Sequence, residues 1–403
     1  MDILYITPYV PSQIRTRPYN LIRALAGLGH RVTLVTASGT SEEERVQITE
    51  MGEWTVQAEG FPVPLSRSLL NCLRALPTGA PLQSAYAHHP ELEARLSELV
   101  AEGSFDVVHV EHLRAARLIE TVNQAPVVYD SVDCISSLFQ QTLRTAPQLR
   151  SRLMAWVDLG RTRRYEAHLL TQTDEVVVTS ERDQFGLQEL AAEHLPPDAQ
   201  TATVTVVTNG VDLDYFRPFR SVQRDQETIV FTGKMSYHAN IAAVLFFAGE
   251  ILPLIWRKAP DVRFQVVGKD PDAAVQRLAD DERIEVTGTV PDLRPYLAQA
   301  TVSVCPAPYA VGIQNKVLEA MAMGTPVVST SAGSASLDAR DGEAILVTDN
   351  PEAMADAVLG LLDDPEMAER VGAGGRRYVE TNHSWESSAR RLTEVYERAI
   401  AAH

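Results

Sequence analysis

The sequence predicts an α/β protein built from two doubly wound parallel-sheet domains. Two observations carry that expectation. Short, unbroken Val/Ile/Leu-rich runs recur along the chain, separated by stretches with helical spacing of apolar residues. Strands of a parallel sheet, covered by helices on both faces, read this way. The series also restarts near residue 204, and 403 residues are too many for one ordinary core.

The elements follow in order. "DILYIT" (2–7) is a short apolar run followed by a loop with two prolines. "PYNLIRALAGLGH" (18–30) has Leu21, Ile22, Leu25 and Leu28 at helical spacing, with Pro18 suited to a first turn and Gly29 to a stop. "RVTLVTA" (31–37), "FDVVHVEH" (105–112) and "APVVYDSVD" (125–133) are further strands, and "DEVVVTS" (174–180) follows a charged helical stretch at 148–171. The second series opens with "TVTVVTNGVD" near 204 and a polar stretch, 220–227, that reads as a linker. "TIVFTGKM" (228–235), a helix through 241–258, "VRFQVVGK" (262–269), "IEVTGTV" (284–290), "TVSVCPA" (301–307), a helix after Gly312, "TPVVST" (325–330) and "AILVT" (344–348) continue it. Helices at 351–363, 365–380 and 385–401 finish the chain. The expected domains are 1–203 and 204–384. Ligands of such sheets bind outside the carboxyl ends of the strands.

Composition narrows the function. Hydrophobic residues make up 45% and charged residues 22%, a globular profile. A net charge of −17 argues against nonspecific nucleic-acid binding and against strong attraction to anionic lipid, without excluding a local basic cleft. No run of about 18 apolar residues is evident, so no transmembrane helix is expected. The start, MDILYITPYVP, is too short, acidic and Pro-interrupted to read as a signal peptide. Cys72, Cys134 and Cys305 form no metal-like pair and fit a reducing cytoplasm as small buried hydrophobes.

Three stretches carry chemistry. "VVTNGVDLDYFRP" (206–218) runs a strand into an Asn-Gly turn, at the simplest a hinge. In "FTGKMSYHANIAAV" (231–244), Gly233 lets a ligand approach the backbone, Lys234 adds charge, and a helix N-terminus follows. Together these suit a diphosphate. Otherwise Gly233 only makes the turn and Lys234 faces water. In "VGIQNKVLEAMAMGTPVVST" (311–330), Gly312 precedes a helix whose first turn holds Gln314, Asn315 and Lys316. Lys316 and Glu319 share a face, as an intrahelical ion pair would. The flanking Val317, Leu318, Met321 and Met323 imply a mostly buried helix, where a carboxylate needs a partner such as sugar or ribose hydroxyls.

In order and spacing, "TNGVD…F.P", "GxMxYxxN", "VxGTVPDLRPYLAQA" and "NKVLEAMAMGTPVVST" resemble the retaining glycosyltransferases of family 4. The likeness covers nearly the whole chain and is strongest over 204–385. "PSQIRTRPYNLIRAL", "VVYDSVDCISS", "GKMSYHAN" and "NKVLEAMAMG" place it nearest the bacterial sugar transferases of exopolysaccharide export. The resemblance implies a GT-B fold: two Rossmann-like domains facing across a cleft, an N-terminal acceptor domain and a C-terminal donor domain. It also implies that the last helix, 385–403, crosses back to the first domain.

Residue by residue, the resemblance makes Glu319 the second glutamate of the E-x7-E motif, a ribose ligand. Gly233 and Lys234 match the Gly-Arg segment at the diphosphate, with Lys losing the bidentate fork of Arg. A second phosphate-binding Lys would fall near Asn240, where it is absent; Lys316 is the replacement. Val267 to Lys269, including Gly268, and Thr289 to Asp292, including Val290, match strand ends lining the base pocket. The first glutamate of the motif is replaced by Val311, leaving Gly312, Ile313, Gln314 and Asn315 to hold the donor sugar. The usual Gly-Gly loop after the first strand is also missing. Arg15 and Arg17 stand there, either solvent-exposed or contacting the donor diphosphate or an anionic acceptor. Glu111 or His112 matches a cleft histidine near the sugar and is the catalytic candidate. Asp130 and Asp133 bind acceptor hydroxyls or cap a helix.

The implied reaction moves a sugar with retention from a UDP- or GDP-sugar to a hydroxyl of a glycan or lipid-linked acceptor, in polysaccharide or envelope glycan synthesis. No cofactor is expected. No Asp-x-Asp metal motif sits at a strand end in the context expected of one, so no metal is expected either. The implied location is cytoplasmic, with peripheral contact at the inner face of the membrane left open. A different class remains: a weakly active or inactive GT-B subunit of an envelope-assembly complex, which the Val311 and Asn240 departures favour.

Overall fold

The computed structural model describes all residues except 13–14, 39–40, 104, 123, 146–148, 220–221, 223 and 310–312. The chain divides into two compact units, Met1–Asn209 with Trp385–His403, and Gly210–Ser384.

The first unit holds seven parallel strands: β1 (Asp2–Thr7), β2 (Arg31–Ser38), β3 (Gln57–Pro62), β4 (Val107–Glu111), β5 (Val127–Val132), β6 (Glu175–Val178) and β7 (Thr203–Val206), in the order 3-2-1-4-5-6-7. Central strands are Val- and Ile-rich because helices cover both faces, with polar residues gathered toward their carboxyl ends, as at His109 and Glu111 of β4 and Asp130 of β5. Leu4, Ile6, Val108 and Val110 pack on one side, and Ile3, Tyr5, Val32 and Val107 on the other. The helix Trp385–Ala402 belongs to this second core through Trp385, Leu392, Val395, Tyr396 and Ala399. The strand 203–206 pairs with β6, so the first unit runs to Asn209, six residues beyond the expected boundary. β3 went unforeseen, because its sequence, QAEGFP, is polar and partly exposed at the sheet edge.

The second unit holds six parallel strands: β8 (Asp225–Thr232), β9 (Arg263–Val267), β10 (Ile284–Gly288), β11 (Ala300–Cys305), β12 (Val327–Ser329) and β13 (Leu346–Val347), in the order 10-9-8-11-12-13. The end of the expected linker is not one. Asp225 starts β8, and Arg224 donates to the carbonyls of Leu297, Ala300 and Gly324 at 2.7–3.2 Å. Arg224 thereby ties together backbone acceptors from three segments of the second unit.

The expectation of no membrane-length apolar run also needs correction. His238–Trp256 is a 19-residue helical stretch of mean hydropathy 1.8, long and apolar enough to cross a membrane by composition. Ala243, Val244, Phe247, Ile251, Leu252 and Ile255 instead pack it against the second sheet. Its middle, Phe247–Ile251, widens into a π turn just before Pro253, which has no N–H to continue the α-helical ladder.

Candidate functional site: strand ends in each unit

In each sheet the chain direction across the sheet reverses between two neighbouring strands, β1 and β4 in the first, β8 and β11 in the second. Crevices form at such points beyond the carboxyl ends of the strands. The candidate residues lie there.

In the second unit the loops after β8 and β9 are stitched together. The Gly233 amide donates to Val267 O at 3.0 Å, and the Met235 amide to Lys269 O at 2.8 Å. The approach is so close that a Cβ on Gly268 would lie 1.7 Å from the Gly233 carbonyl oxygen. Both glycines also adopt φ near +150°, so side chains are excluded twice over. Asn240 is buried in the first turn of the helix His238–Phe246 and donates to Lys234 O at 2.9 Å. A Cβ on Gly233 would lie 2.7 Å from Asn240 Nδ2 and 3.4 Å from Lys316 Cε. Asn240 therefore shapes the loop, and Lys316 reaches the place beside Gly233.

Lys316 comes from the helix Asn315–Ala322, which follows the loop after β11. Its Nζ donates to Gln314 Oε1 at 2.9 Å and lies 5.6 Å from the Phe231 ring. One turn on, burial pushes the Glu319 carboxyl up to about 7, an effect that Lys316 eases. Among the described residues no hydrogen bond or ion pair holds the Glu319 carboxylate or the exposed Lys234 ammonium. Neither helix start has a side-chain cap, so first-turn amides remain to meet an anion. His238 Nδ1 and the Tyr309 hydroxyl, 3.1 Å apart, tie the loop after β11 to that helix start, a contact the sequence did not suggest. Ile313 and Val290 pack partly buried on the core beside this helix, and Asn315 is exposed. Val311 and Gly312 lie outside the described residues.

The first unit presents a different picture. Arg17 is buried and paired with Asp130 at 2.8 Å, and it also donates to Val207 O and Asn209 Oδ1. It is neither solvent-exposed nor free for a diphosphate, and Asp130 is not free for acceptor hydroxyls. Glu111 is fully buried under the hydroxyls of Tyr5 at 2.9 Å and Tyr9 at 3.0 Å. Burial, with Asp130 nearby, pushes it up to about 8, so it is largely protonated at neutral pH. A carboxyl so enclosed holds the strand ends together and does not reach a substrate here, which removes it as the catalytic candidate. His109 stacks on Tyr5 and meets the Tyr396 hydroxyl at 2.9 Å, completing a network that the sequence did not reveal.

His109, Glu111 and Asp130 could by spacing hold a metal ion. In this structure the Arg17 guanidinium pairs with Asp130 and the two tyrosines donate to Glu111, so the cation these carboxyl groups face is an internal one.

His112 remains at the edge, half-buried, with φ of 70°. Its Nδ1 accepts the Arg114 amide at 3.1 Å, and burial lowers its pKa to about 4. The ring is therefore neutral, with its hydrogen on Nε2. Val132 also has positive φ, 65°, rare for a β-branched residue. These two strained residues bracket Asp130, which accepts the His112 amide on its carbonyl and the Val132 amide on its carboxylate. Burial lifts Asp133 to about 6, and it caps no helix. The amides of Ile135 and Ser136 are taken by Glu166, and that of Cys134 by Asp183. Arg15 is exposed, its guanidinium 4.4 Å from the Tyr9 ring centre.

Comparison with known proteins agrees with this architecture. Residues 14–210 match the "Glycosyl transferase 4-like domain" model and residues 226–364 the "Glycosyl transferases group 1" model. A D-inositol 3-phosphate glycosyltransferase of Streptomyces griseus is 29% identical over 51% of this chain and 51% of its own, so the chain spans about half the length of that relative. A phosphatidyl-myo-inositol mannosyltransferase of Mycolicibacterium smegmatis is 24% identical over 100% of this chain and 95% of its own. Among solved structures, sucrose-phosphate synthase of Thermosynechococcus elongatus superposes with a TM-score of 0.64 at 18% identity, covering 100% of both chains. The chain belongs to the group 1, family 4 glycosyltransferases, and its two parallel sheets are the two Rossmann-like halves of their GT-B fold.

Proposed function

We propose that the protein transfers a sugar, with retention and without a metal, from a nucleotide sugar to a hydroxyl of a glycan or lipid-linked acceptor. The observation that carries the reading is the second unit's open constellation. Two glycines pressed backbone to backbone, Lys316 beside them and the unpartnered carboxylate of Glu319 one helical turn on match a nucleoside diphosphate. The carboxylate accepts ribose hydroxyls. Lys234, Lys316 and the amides of two helix starts spread the charge of the departing diphosphate. These cations do the electrostatic work otherwise left to a divalent ion. A diphosphate oxygen takes the acceptor proton, so no enzyme nucleophile is needed. The neutral His112 contributes an Nε2 hydrogen to a sugar hydroxyl.

The relatives named above act, by their names, on inositol phosphate and phosphatidylinositol. A phosphorylated polyol or lipid-linked polyol is therefore the first acceptor class to try. The test is turnover of UDP- and GDP-sugars with such acceptors, with and without a chelator, reading product anomer by NMR. Retained configuration and chelator-insensitive release of nucleoside diphosphate are expected. Tight nucleotide binding without turnover of any pair would instead support the inactive-subunit reading.

A further inference from the structure

The helix Leu65–Ala75 is inside out. Its buried positions are Ser68, Asn71 and Ala75, while Leu65, Leu69 and Leu73 are 65%, 57% and 63% exposed. Those leucines lie four residues apart, so with Leu76 they form one stripe on the outer side of the helix. A soluble helix ordinarily turns such a stripe inward. The long helix Leu149–Leu169 lies against the end of this one: Arg161 donates to Leu76 O at 2.9 Å, and Asp158 accepts the Leu82 amide at 3.0 Å. One turn before Asp158, Leu153, Met154 and Trp156 are also exposed, Trp156 at 71%.

Charge points to the occupant. The chain carries −17 overall, yet it has no Asp or Glu from Gly60 to Pro90 and none from Cys134 to Val157. The charged residues in those two stretches are arginines, including Arg67, Arg74 and Arg152. Arg67 and Arg74 sit seven residues apart along one edge of the leucine stripe. There they line a cavity of about 730 Å³ with Leu70, His88 and His89. Among the described residues neither guanidinium has a hydrogen bond or an ion pair. Glu91 also borders the cavity, while Glu93 is taken by His88 at 2.7 Å. An apolar stripe edged by unpaired arginines, on an acidic protein with Glu91 the one acid at this cavity, suits an anionic lipid surface better than another copy of the chain.

We infer that this face docks the first unit onto an anionic bilayer, the leucines and Trp156 entering the acyl boundary and Arg67 and Arg74 holding lipid phosphates at the cavity. The inference is independent of the glycosyl-transfer reading, since it rests on a different face and is read without turnover. The test is co-sedimentation of the full chain with vesicles of phosphatidylcholine alone or mixed with phosphatidylglycerol. Binding to the mixed vesicles, weakened by salt, is expected, with little binding to phosphatidylcholine. Leu69→Glu with Leu73→Glu should abolish it, and Arg67→Ala with Arg74→Ala should weaken it on the order of tenfold. The melting temperature and nucleotide affinity of both variants should stay as in the wild type. In the wild type, lipid-borne quenchers should reach a fluorescence component that Trp156→Phe removes. Absence of that quenching, unchanged binding by the leucine variant, or a wild-type dimer that the leucine variant dissolves would overturn the inference.

Discussion

The strand ends of the two units are built from the same residue types to opposite ends. In the first unit the charges are enclosed: Arg17 holds Asp130, and two tyrosines hold Glu111. In the second, Glu319 and Lys234 have no partner among the described residues, and Lys316 has a neutral one, Gln314. A buried network whose charged groups are paired fixes one arrangement of backbone. A half-buried carboxylate left without a donor costs stability unless a ligand supplies one. The difference teaches where to look for binding: at the incomplete cluster and not at the most elaborate one.

The sharpest way to break this contrast is Arg17→Met. It leaves Asp130 buried without its cation, and such a loss costs about 3–5 kcal/mol. Urea unfolding should show that loss, while nucleotide affinity of the folded fraction stays unchanged. A small stability loss together with a large loss of nucleotide affinity would mean that Arg17 serves the ligand after all.

The sequence exposed the second cluster far better than the first, for a physical reason. Gly233-Lys234 and Lys316-x-x-Glu319 are local signals, set by the loop and the helix face they share. The Arg17–Asp130 pair joins residues 113 apart, and Tyr396 reaches His109 across 287. No short window holds that information, so Arg17 and Asp130 looked like ligand groups. The fold was legible where strands carry runs of valine, as in β4 and β6, and obscure where polar residues fill most of a strand or its first residues, as in β3 and at Asp225–Glu227 of β8. Helix ends were misjudged where the cap comes from afar, as Glu166 does for Ile135. The exposed leucines of 65–76 have ordinary helical spacing, and only the structure shows that they point outward.

A second prediction sharpens the comparison at its backbone. Gly268→Ala would place a methyl group within bond-like distance of the Gly233 carbonyl, and the two loops must separate. Strain of this kind costs on the order of 1–3 kcal/mol. Nucleotide affinity should fall with it, because the Lys234 loop and the helix start behind it move away from the diphosphate. Alanine at the exposed Gly160, where an added Cβ meets only the far end of the Arg164 side chain at 4.0 Å, should leave nucleotide affinity unaltered. Equal affinity for wild type and Gly268→Ala would detach that stitched loop from the donor site.

The smallest expected effect is the most diagnostic, because it separates an open carboxylate from a closed one by pH. Burial raises Glu319 to about 7 and Glu111 to about 8. For each, the folded state holds its proton more tightly than the unfolded chain does. The stabilising contribution is therefore full below the unfolded value of about 4.3 and is lost as pH rises through the folded value. Both should thus lower the melting temperature between about pH 5 and pH 8. Only Glu319 should also act on ligand affinity, and with the opposite sign, since ribose hydroxyls need the ionised form as acceptor. Nucleoside diphosphate affinity should strengthen roughly tenfold from pH 6 to pH 8, on the scale of a hydrogen bond to a charged group. Glu319→Gln should bind more weakly and lose that slope, apart from the titration of the phosphate itself, which the same variant records. Glu111→Gln should keep the slope. If calorimetry finds parallel pH profiles for wild type and Glu319→Gln, the carboxylate does not touch the ribose, and the open cluster is open for some other ligand.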